Sequence, residues 1–194
     1  MIDIGTGDGT FVYQSARNTR GTFYLGIDAN AGPLAKISEK THRKPRKGGV
    51  DNLLFVQAGV ENLPEELDGV ANVVHVHFPW GSLLRGVAIG DELVLRNLRR
   101  ICADGGMLEV LIGLHPVRDV AEMARLGLPP LTSEYLDEVL VPRYRAAGFE
   151  IVERGAISPS SWPELKSSWA KRLRNSSERN LVYLIARAEP ISPP

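Results

Sequence analysis

The sequence predicts a doubly wound α/β fold around a mostly parallel, seven-stranded sheet. Apolar runs of strand length alternate with segments of helical period along most of the chain. A glycine-rich loop, "DIGTGDG", joins the first apolar run to the first helical segment, where open parallel sheets hold their ligands. The chain has 194 residues, 43% of them hydrophobic, which is enough for one sizeable core and short for two. A single domain over residues 1–189 is therefore expected. The prolines of "EPISPP" predict a disordered tail at 190–194.

The first strand is "MIDI", and Gly9 to Ala16 has the period of a helix. This strand begins at Met1 and is short, so residues that precede it are expected to lie outside the chain. "TFYLGI" is the second strand, Ala31 to Lys40 the second helix and "NLLFVQ" the third strand. A short turn at Leu63 to Leu67 leads to "VVHVHF", the fourth strand. Asp91 to Ile101 is helical, Met107 to Gly113 is a strand, and Val117 to Ala147 contains two helical segments. Phe149 to Ile157 and "NLVYLIARA" complete the sheet. Two connections stand out: the basic "THRKPRKGG" at Thr41 to Gly49, and the long Ser158 to Asn180, of a length that in compact domains is usually functional or disordered.

Lys plus Arg and Asp plus Glu both number 23, so nucleic-acid binding has to come from local patches rather than overall charge. The one cysteine, Cys102, excludes a disulfide framework and is expected to be an ordinary helix-end residue. The longest apolar runs, such as "VLIGL" at Val110 to Leu114, fall far short of the roughly 20 residues that span a bilayer. The start of the chain lacks the basic and apolar regions of a signal peptide, which predicts a cytoplasmic protein without membrane contact.

Gly5, Gly7 and Gly9 allow a tight turn and close approach of a ligand to backbone. A dinucleotide fingerprint needs its third glycine one position later, where this chain has Thr10. Asp3 and Asp8 flank the loop and would repel a pyrophosphate, whereas the ammonium and sulfonium of S-adenosylmethionine suit acidic surroundings. Asp28 in "YLGIDAN" follows the loop by about 20 residues, the spacing at which a carboxylate accepts from ribose hydroxyls. Glu61, after the third strand, is placed to accept from an adenine amino group. The bland alternatives are a structural turn for the glycines and caps or solvated charges for the carboxylates.

Taken together, "DIGTGDG", "GIDAN", "VENLP", "HFPWGSLLRG" and "SSWAKRL" resemble the 16S rRNA (adenine(1408)-N(1))-methyltransferases, aminoglycoside-resistance enzymes of the Kam and Npm type. The resemblance runs from Asp3 to about Arg179. It implies the Rossmann-like fold of class I S-adenosylmethionine-dependent methyltransferases. It also implies that Asp3, Gly5, Gly7, Asp28, Val60 and Glu61 contact the cofactor and that His77, Phe78, Pro79, Trp80, Gly81 and Ser82 wrap its methionine end. Ser167, Ser168 and Trp169 would close the pocket, Trp80 and Trp169 would hold a flipped adenine, and Arg172 and Arg179 would meet ribosomal RNA. In the family a further segment precedes the first strand and helps form the RNA-docking face.

Adenine N1 carries a lone pair and no proton, so methyl transfer to it requires positioning rather than a general base. The product ring is cationic, and a tryptophan face attracts such charge. That favours Trp80, at the exit of the fourth strand behind Pro79, as a stacking surface over core filler. His75 and His77 share a strand face, but no Cys or carboxylate cluster accompanies them in the sequence, so hydrogen-bonded histidines and no metal are expected. Trp162 is expected in the core.

The run Arg43, Lys44, Arg46 and Lys47 and the cluster Lys171, Arg172, Arg174 and Arg179 predict phosphate contacts, on the premise that both loops open on the sheet edge of Asp28 and Trp80. The expected partner is 16S rRNA within the 30S subunit, and the expected enzyme is a monomer. The alternatives are a methyltransferase acting on another RNA, such as a tRNA guanine-N7 enzyme, and a non-catalytic RNA-binding protein on the same fold.

Overall fold

The computed structural model describes residues 1–115, 117–157 and 180–190. Five strands come first in the chain, β1 (Ile2–Ile4), β2 (Tyr24–Asp28), β3 (Leu53–Gln57), β4 (Ala71–His77) and β5 (Cys102–Leu114). They are followed by β6 (Phe149–Ile157) and β7 (Asn180–Ala188). The order across the sheet is β3-β2-β1-β4-β5-β7-β6. Strands β1 to β5 are mutually parallel, and β7 runs antiparallel to both β5 and β6. The chain leaves β1 toward β2 on one side and reaches β4 on the other. The carboxyl ends of β1 and β4 therefore flank a crevice where the connections diverge.

Local sequence explains the helices. Helix α1 (Thr10–Asn18) buries Val12, Tyr13 and Ala16, a helical stripe, after Gly9 starts it in the left-handed region. Helix α2 (Ala35–Thr41) begins later than the apolar pattern predicts. Asn30 Oδ1 accepts from the Gly32 N–H at 3.0 Å and holds a turn there instead. With Ile37, α1 covers Tyr24 and Leu53 on one face of the sheet.

The opposite face, with Ile4, Ile27, Val74, Val76, Leu108 and Val110, carries the larger core. Helix α3 (Gly81–Ile89) packs there, a helix that the sequence pattern did not predict because Gly81 and Gly86 weaken its propensity. Gly86 is there for contact: a Cβ on it would lie 2.7 Å from Val94 Cγ2 on α4 (Glu92–Ile101), so the two helices meet backbone to side chain. Asp91 caps α4, its Oδ1 accepting from the Leu93 and Val94 N–H groups at 3.1 Å each. Helix α5 (Val120–Leu126) follows β5. Helix α6 (Ser133–Tyr135) then runs without a break through a π turn at Leu136–Leu140 into α7 (Val141–Ala146). Cys102 opens β5, and burial pushes its thiol up to about 12, which keeps it protonated and inert.

Buried Asn97 on α4 donates its side-chain amide to the carbonyls of Val60 at 3.0 Å and Glu61 at 3.2 Å. It ties the core to the turn after β3. Replacing Asn97 with Ala strips the donor from two carbonyls, a cost of about 2 kcal/mol. Thermal unfolding of Asn97→Ala should fall by roughly 4 to 8 °C in consequence; an unchanged midpoint would mean water replaces the amide.

Candidate active site

The loop after β1 is shaped by three glycines in left-handed conformations, Gly5 (φ 73°), Gly7 (φ 61°) and Gly9 (φ 70°). The N–H groups of Gly5 and Thr6 both donate to the Ile27 carbonyl, at 2.8 and 3.0 Å, so the loop folds against the end of β2. Leu83 of α3 closes on Gly5 from the other side, where a Cβ would meet Leu83 Cδ2 at 2.7 Å.

Asp28 ends β2, and its carboxylate takes part in the same construction. Its Oδ2 accepts from the Gly7 N–H at 2.8 Å and its Oδ1 from the Asn30 N–H at 2.9 Å. Each oxygen retains a lone pair, so the carboxylate both holds the loop and stays able to accept from a ligand. Thr6, which sequence reasoning passed over, buries its Oγ1 without a hydrogen-bond partner. A buried hydroxyl left unpaired is costly and marks the loop as built for a further polar group.

The turn after β3 places Val60 and Glu61 differently. Val60 is buried at 4% exposure in the core, while Glu61 is exposed. At the exit of β4, Phe78 has φ 51°, the one non-glycine residue in the left-handed region among the described residues. Such a conformation costs roughly 1–2 kcal/mol. Its N–H donates to the Leu111 carbonyl at 2.7 Å, and its ring sits where a Cβ on Gly113 of β5 would be, 2.7 Å from Phe78 Cδ1. Pro79 is buried, Gly81 is again left-handed at φ 58°, and Ser82 is exposed. Trp80, between them, is 53% exposed at the start of α3. A tryptophan that open is not core filler, and it follows the carboxyl end of β4, the strand beside β1.

Asp3 is 4% exposed in β1, directly beside His75 of β4, and the His77 ring stacks on His75 with centroids 4.3 Å apart. Alternation along a strand turns both side chains toward the α1 face. Two sequence expectations change. The premise that no carboxylate accompanies the histidines fails, because Asp3 on β1 and Glu109 on β5 flank them across the sheet. His75 Nε2 lies 3.3 Å and His77 Nε2 3.7 Å from Glu109 Oε2. Hydrogen bonds from the two imidazoles, His75 first, hold the Glu109 carboxyl well below the usual range.

The second change concerns the basic run. Arg43, Lys44, Arg46 and Lys47 are exposed between α2 and β3. A connection that enters a parallel strand lies at its amino end, so this run is on the edge opposite Asp28 and Trp80. There Arg43 lines a cleft of about 450 Å³ with Arg17, Arg20 and His42. The expected contributions of Trp162, Ser167, Ser168, Trp169, Lys171, Arg172, Arg174 and Arg179 lie outside the described residues, as do positions 191–194.

The seating of Phe78 is testable. Gly113→Ala puts a methyl group into the Phe78 ring and should lower stability to urea by about 1–3 kcal/mol. Phe78→Leu in the same chain should recover part of that loss. Wild-type stability in Gly113→Ala would show that the ring is not seated on Gly113.

The acidic loop, the retained lone pairs of Asp28 and the unpaired Thr6 hydroxyl fit S-adenosylmethionine, and known proteins agree. Residues 1–188 match the family described as NpmA, 16S rRNA (adenine(1408)-N(1))-methyltransferase. The chain is 38% identical to the 16S rRNA (adenine(1408)-N(1))-methyltransferase of Streptoalloteichus tenebrarius, over all of this chain and 87% of that one. Among solved structures, the aminoglycoside resistance methyltransferase NpmB1 superposes with TM-score 0.81 at 50% identity, covering 96% of this chain and 85% of that one. A variant of the 16S rRNA (adenine(1408)-N(1))-methyltransferase from Catenulisporales acidiphilia, with cosubstrate SAM, gives 0.84 at 32% identity, covering 100% and 87%. The mixed seven-stranded sheet is that of the Rossmann-like methyltransferases, and the chain belongs to the 16S rRNA (adenine(1408)-N(1))-methyltransferase family, whose enzymes use S-adenosylmethionine.

Proposed function

We propose that this chain methylates N1 of adenine 1408 in 16S rRNA of the assembled 30S subunit, acting as a monomer in the cytoplasm, and thereby protects ribosomes from aminoglycosides. Among the described residues, no helix is long and apolar enough to cross a membrane. The observation that carries the proposal is the exposed Trp80 at the carboxyl end of β4, on the same sheet edge as the glycine loop after β1 and Asp28 at the end of β2. That pairing offers a flat aromatic beside a polar cradle, as base methylation requires.

Asp28 accepts from the ribose hydroxyls, and the backbone at Gly5, Gly7 and Val60 lines the nucleoside. Glu61 accepts from the adenine amino group, and Phe78, Pro79, Gly81 and Ser82 shape the methionine end. Trp80 stacks on the flipped target base, orients N1 and favours the positive charge that the ring acquires. A bound cofactor would supply the sulfonium methyl for transfer to the N1 lone pair. No side chain has to remove a proton. The basic run Arg43 to Lys47, on the far edge, meets phosphate away from the reaction and sets the register of docking.

Titration calorimetry should show S-adenosylmethionine binding that Asp28→Ala weakens about ten- to a hundredfold, since a charged acceptor is worth roughly 1.5–3 kcal/mol. Equal affinity in both proteins would remove Asp28 from the cofactor site.

Transfer of labelled methyl should reach intact 30S subunits in preference to tRNA and free rRNA. Trp80→Ala should lower it by roughly ten- to a hundredfold at subsaturating subunits, with Phe retaining more activity than Ala. Primer extension on rRNA from cells that express the wild type should stop at the target, because the methyl blocks the pairing edge. Full activity in a folded Trp80→Ala protein would make the tryptophan a bystander.

A further inference from the structure

The connection from α2 to β3 is folded against the end of α1 rather than solvated along its length. Tyr13 of α1, 4% exposed, donates its hydroxyl to the Gly48 carbonyl at 2.7 Å. The Lys47 N–H donates to the Lys44 carbonyl at 2.7 Å and the Val50 N–H to the Thr41 carbonyl at 3.0 Å, so the connection closes on itself. Gly49 lies so near the Arg43 carbonyl that a Cβ has no room. Asn52, just before β3, holds the other wall: its Nδ2 is 3.2 Å from the carbonyl oxygens of Ala16 and Thr19 and 2.9 Å from that of Thr22. Between these walls is the cleft of about 450 Å³ that Arg17, Arg20 and Arg43 line.

Three arginines from two separate stretches of sequence meet here, against one acid, Asp51. Helices α1 and α2 both end at the cleft, and the carbonyl end of a helix disfavours anions by about half a charge. That is less than the three full positive charges, and the Asn52 amide occupies the Ala16 carbonyl in the last turn of α1. Complementing the helix end accounts for Arg17, which lies in that turn, but not for Arg20, which lies beyond it. Among the described residues, Arg20 has no ion-pair partner. Arg17 contacts the Tyr13 ring with its face, Cζ 5.9 Å from the centroid, which leaves its N–H groups for another acceptor. Arg43 pairs with Glu39 at 2.9 Å, an exposed pair four residues apart that holds little free energy. Guanidinium forks of this kind match the oxygens of a phosphate.

We infer that this cleft binds one backbone phosphate of the RNA, held by Arg17 and Arg20 from the end of α1 and by Arg43 from the connection. The inference rests on the reading of the chain as an RNA methyltransferase and adds to it two contact residues that the basic run does not include. Both walls are folded before the RNA arrives, so binding orders few further residues. Lys44, Arg46 and Lys47 do not line the cleft and meet neighbouring phosphates separately. Because the cleft is at the amino edge of the sheet, it tethers the RNA without touching the methyl-transfer site. Its loss is therefore a loss of binding, not of chemistry.

Binding of 30S subunits and of a short RNA duplex to the full chain is measured over a range of salt concentrations. Arg17→Gln combined with Arg20→Gln should weaken both roughly tenfold and reduce the slope of log K against log salt by about 1, the value for one phosphate. In methyl transfer the KM for subunits should rise by a similar factor, while kcat and S-adenosylmethionine affinity stay unchanged. Arg17→Lys with Arg20→Lys should restore the salt slope, and Arg96→Gln on α4 should alter nothing. If the double variant does not fold, Arg20→Gln alone, beyond α1, carries the same expectation at smaller size. Wild-type KM and salt slope in the folded double variant would overturn the inference. Stoichiometric uptake of inorganic phosphate, with RNA binding untouched by the double substitution, would overturn it too and leave a site for the free anion. If 30S methylation is absent from the wild type but duplex binding still depends on Arg17 and Arg20, the cleft stands and the proposed function does not.

Discussion

The shape of the crevice depends on how the glycine loop is fastened to β2. Gly5 and Thr6 share the Ile27 carbonyl, and Gly7 reaches the Asp28 carboxylate. These bonds require left-handed backbone at Gly5 and Gly7. They bring the end of β1 close to Asp28 and leave room for Leu83 to close over Gly5, which docks α3 against the loop. Because α3 begins at Gly81, its docking also sets where Trp80 emerges. Loop, acid and aromatic are therefore one construction, fixed by backbone N–H donors, the Asp28 carboxylate and the Leu83 side chain.

The exit of β4 is the complementary half. Phe78 is held in a conformation that non-glycine residues avoid, its ring seated on Gly113 and its N–H bonded to Leu111. Strain of this kind persists only where neighbouring structure over-determines it, and it concentrates at binding sites. Pro79 and left-handed Gly81 then leave the chain few alternatives before α3 starts. Both tight turns open on the same crevice, where the parallel strands diverge and their side chains no longer fill the space.

Charge is divided by edge. The acids Asp8, Asp28 and Glu61 belong to the carboxyl edge, while the basic run Arg43 to Lys47 occupies the amino edge with Arg17 and Arg20. Among the described residues, these acids and this basic run thereby lie at opposite edges of the sheet. Such a division allows a cationic cofactor and a polyanionic partner to be met by different surfaces of one domain.

Period and turn chemistry alone determined the strand runs, the glycine loop, Asp28 at the end of β2 and Trp80 at the exit of β4, because each is a local property of a few consecutive residues. Helix α3 was hidden because Gly81 and Gly86 read as loop residues, and only the left-handed backbone at Gly81 and the contact of Gly86 with Val94 show what they serve. The edge of the basic run follows from the return of the chain to the start of a parallel strand, which a linear scan for charge does not register. Asp3, His75 and Glu109 are separated by tens of residues, and only strand order and register bring them into one row. Pairing across strands is set by the packing of the whole sheet, so the tertiary structure alone decided that two histidines without sequence neighbours of their kind have a carboxylate on either side.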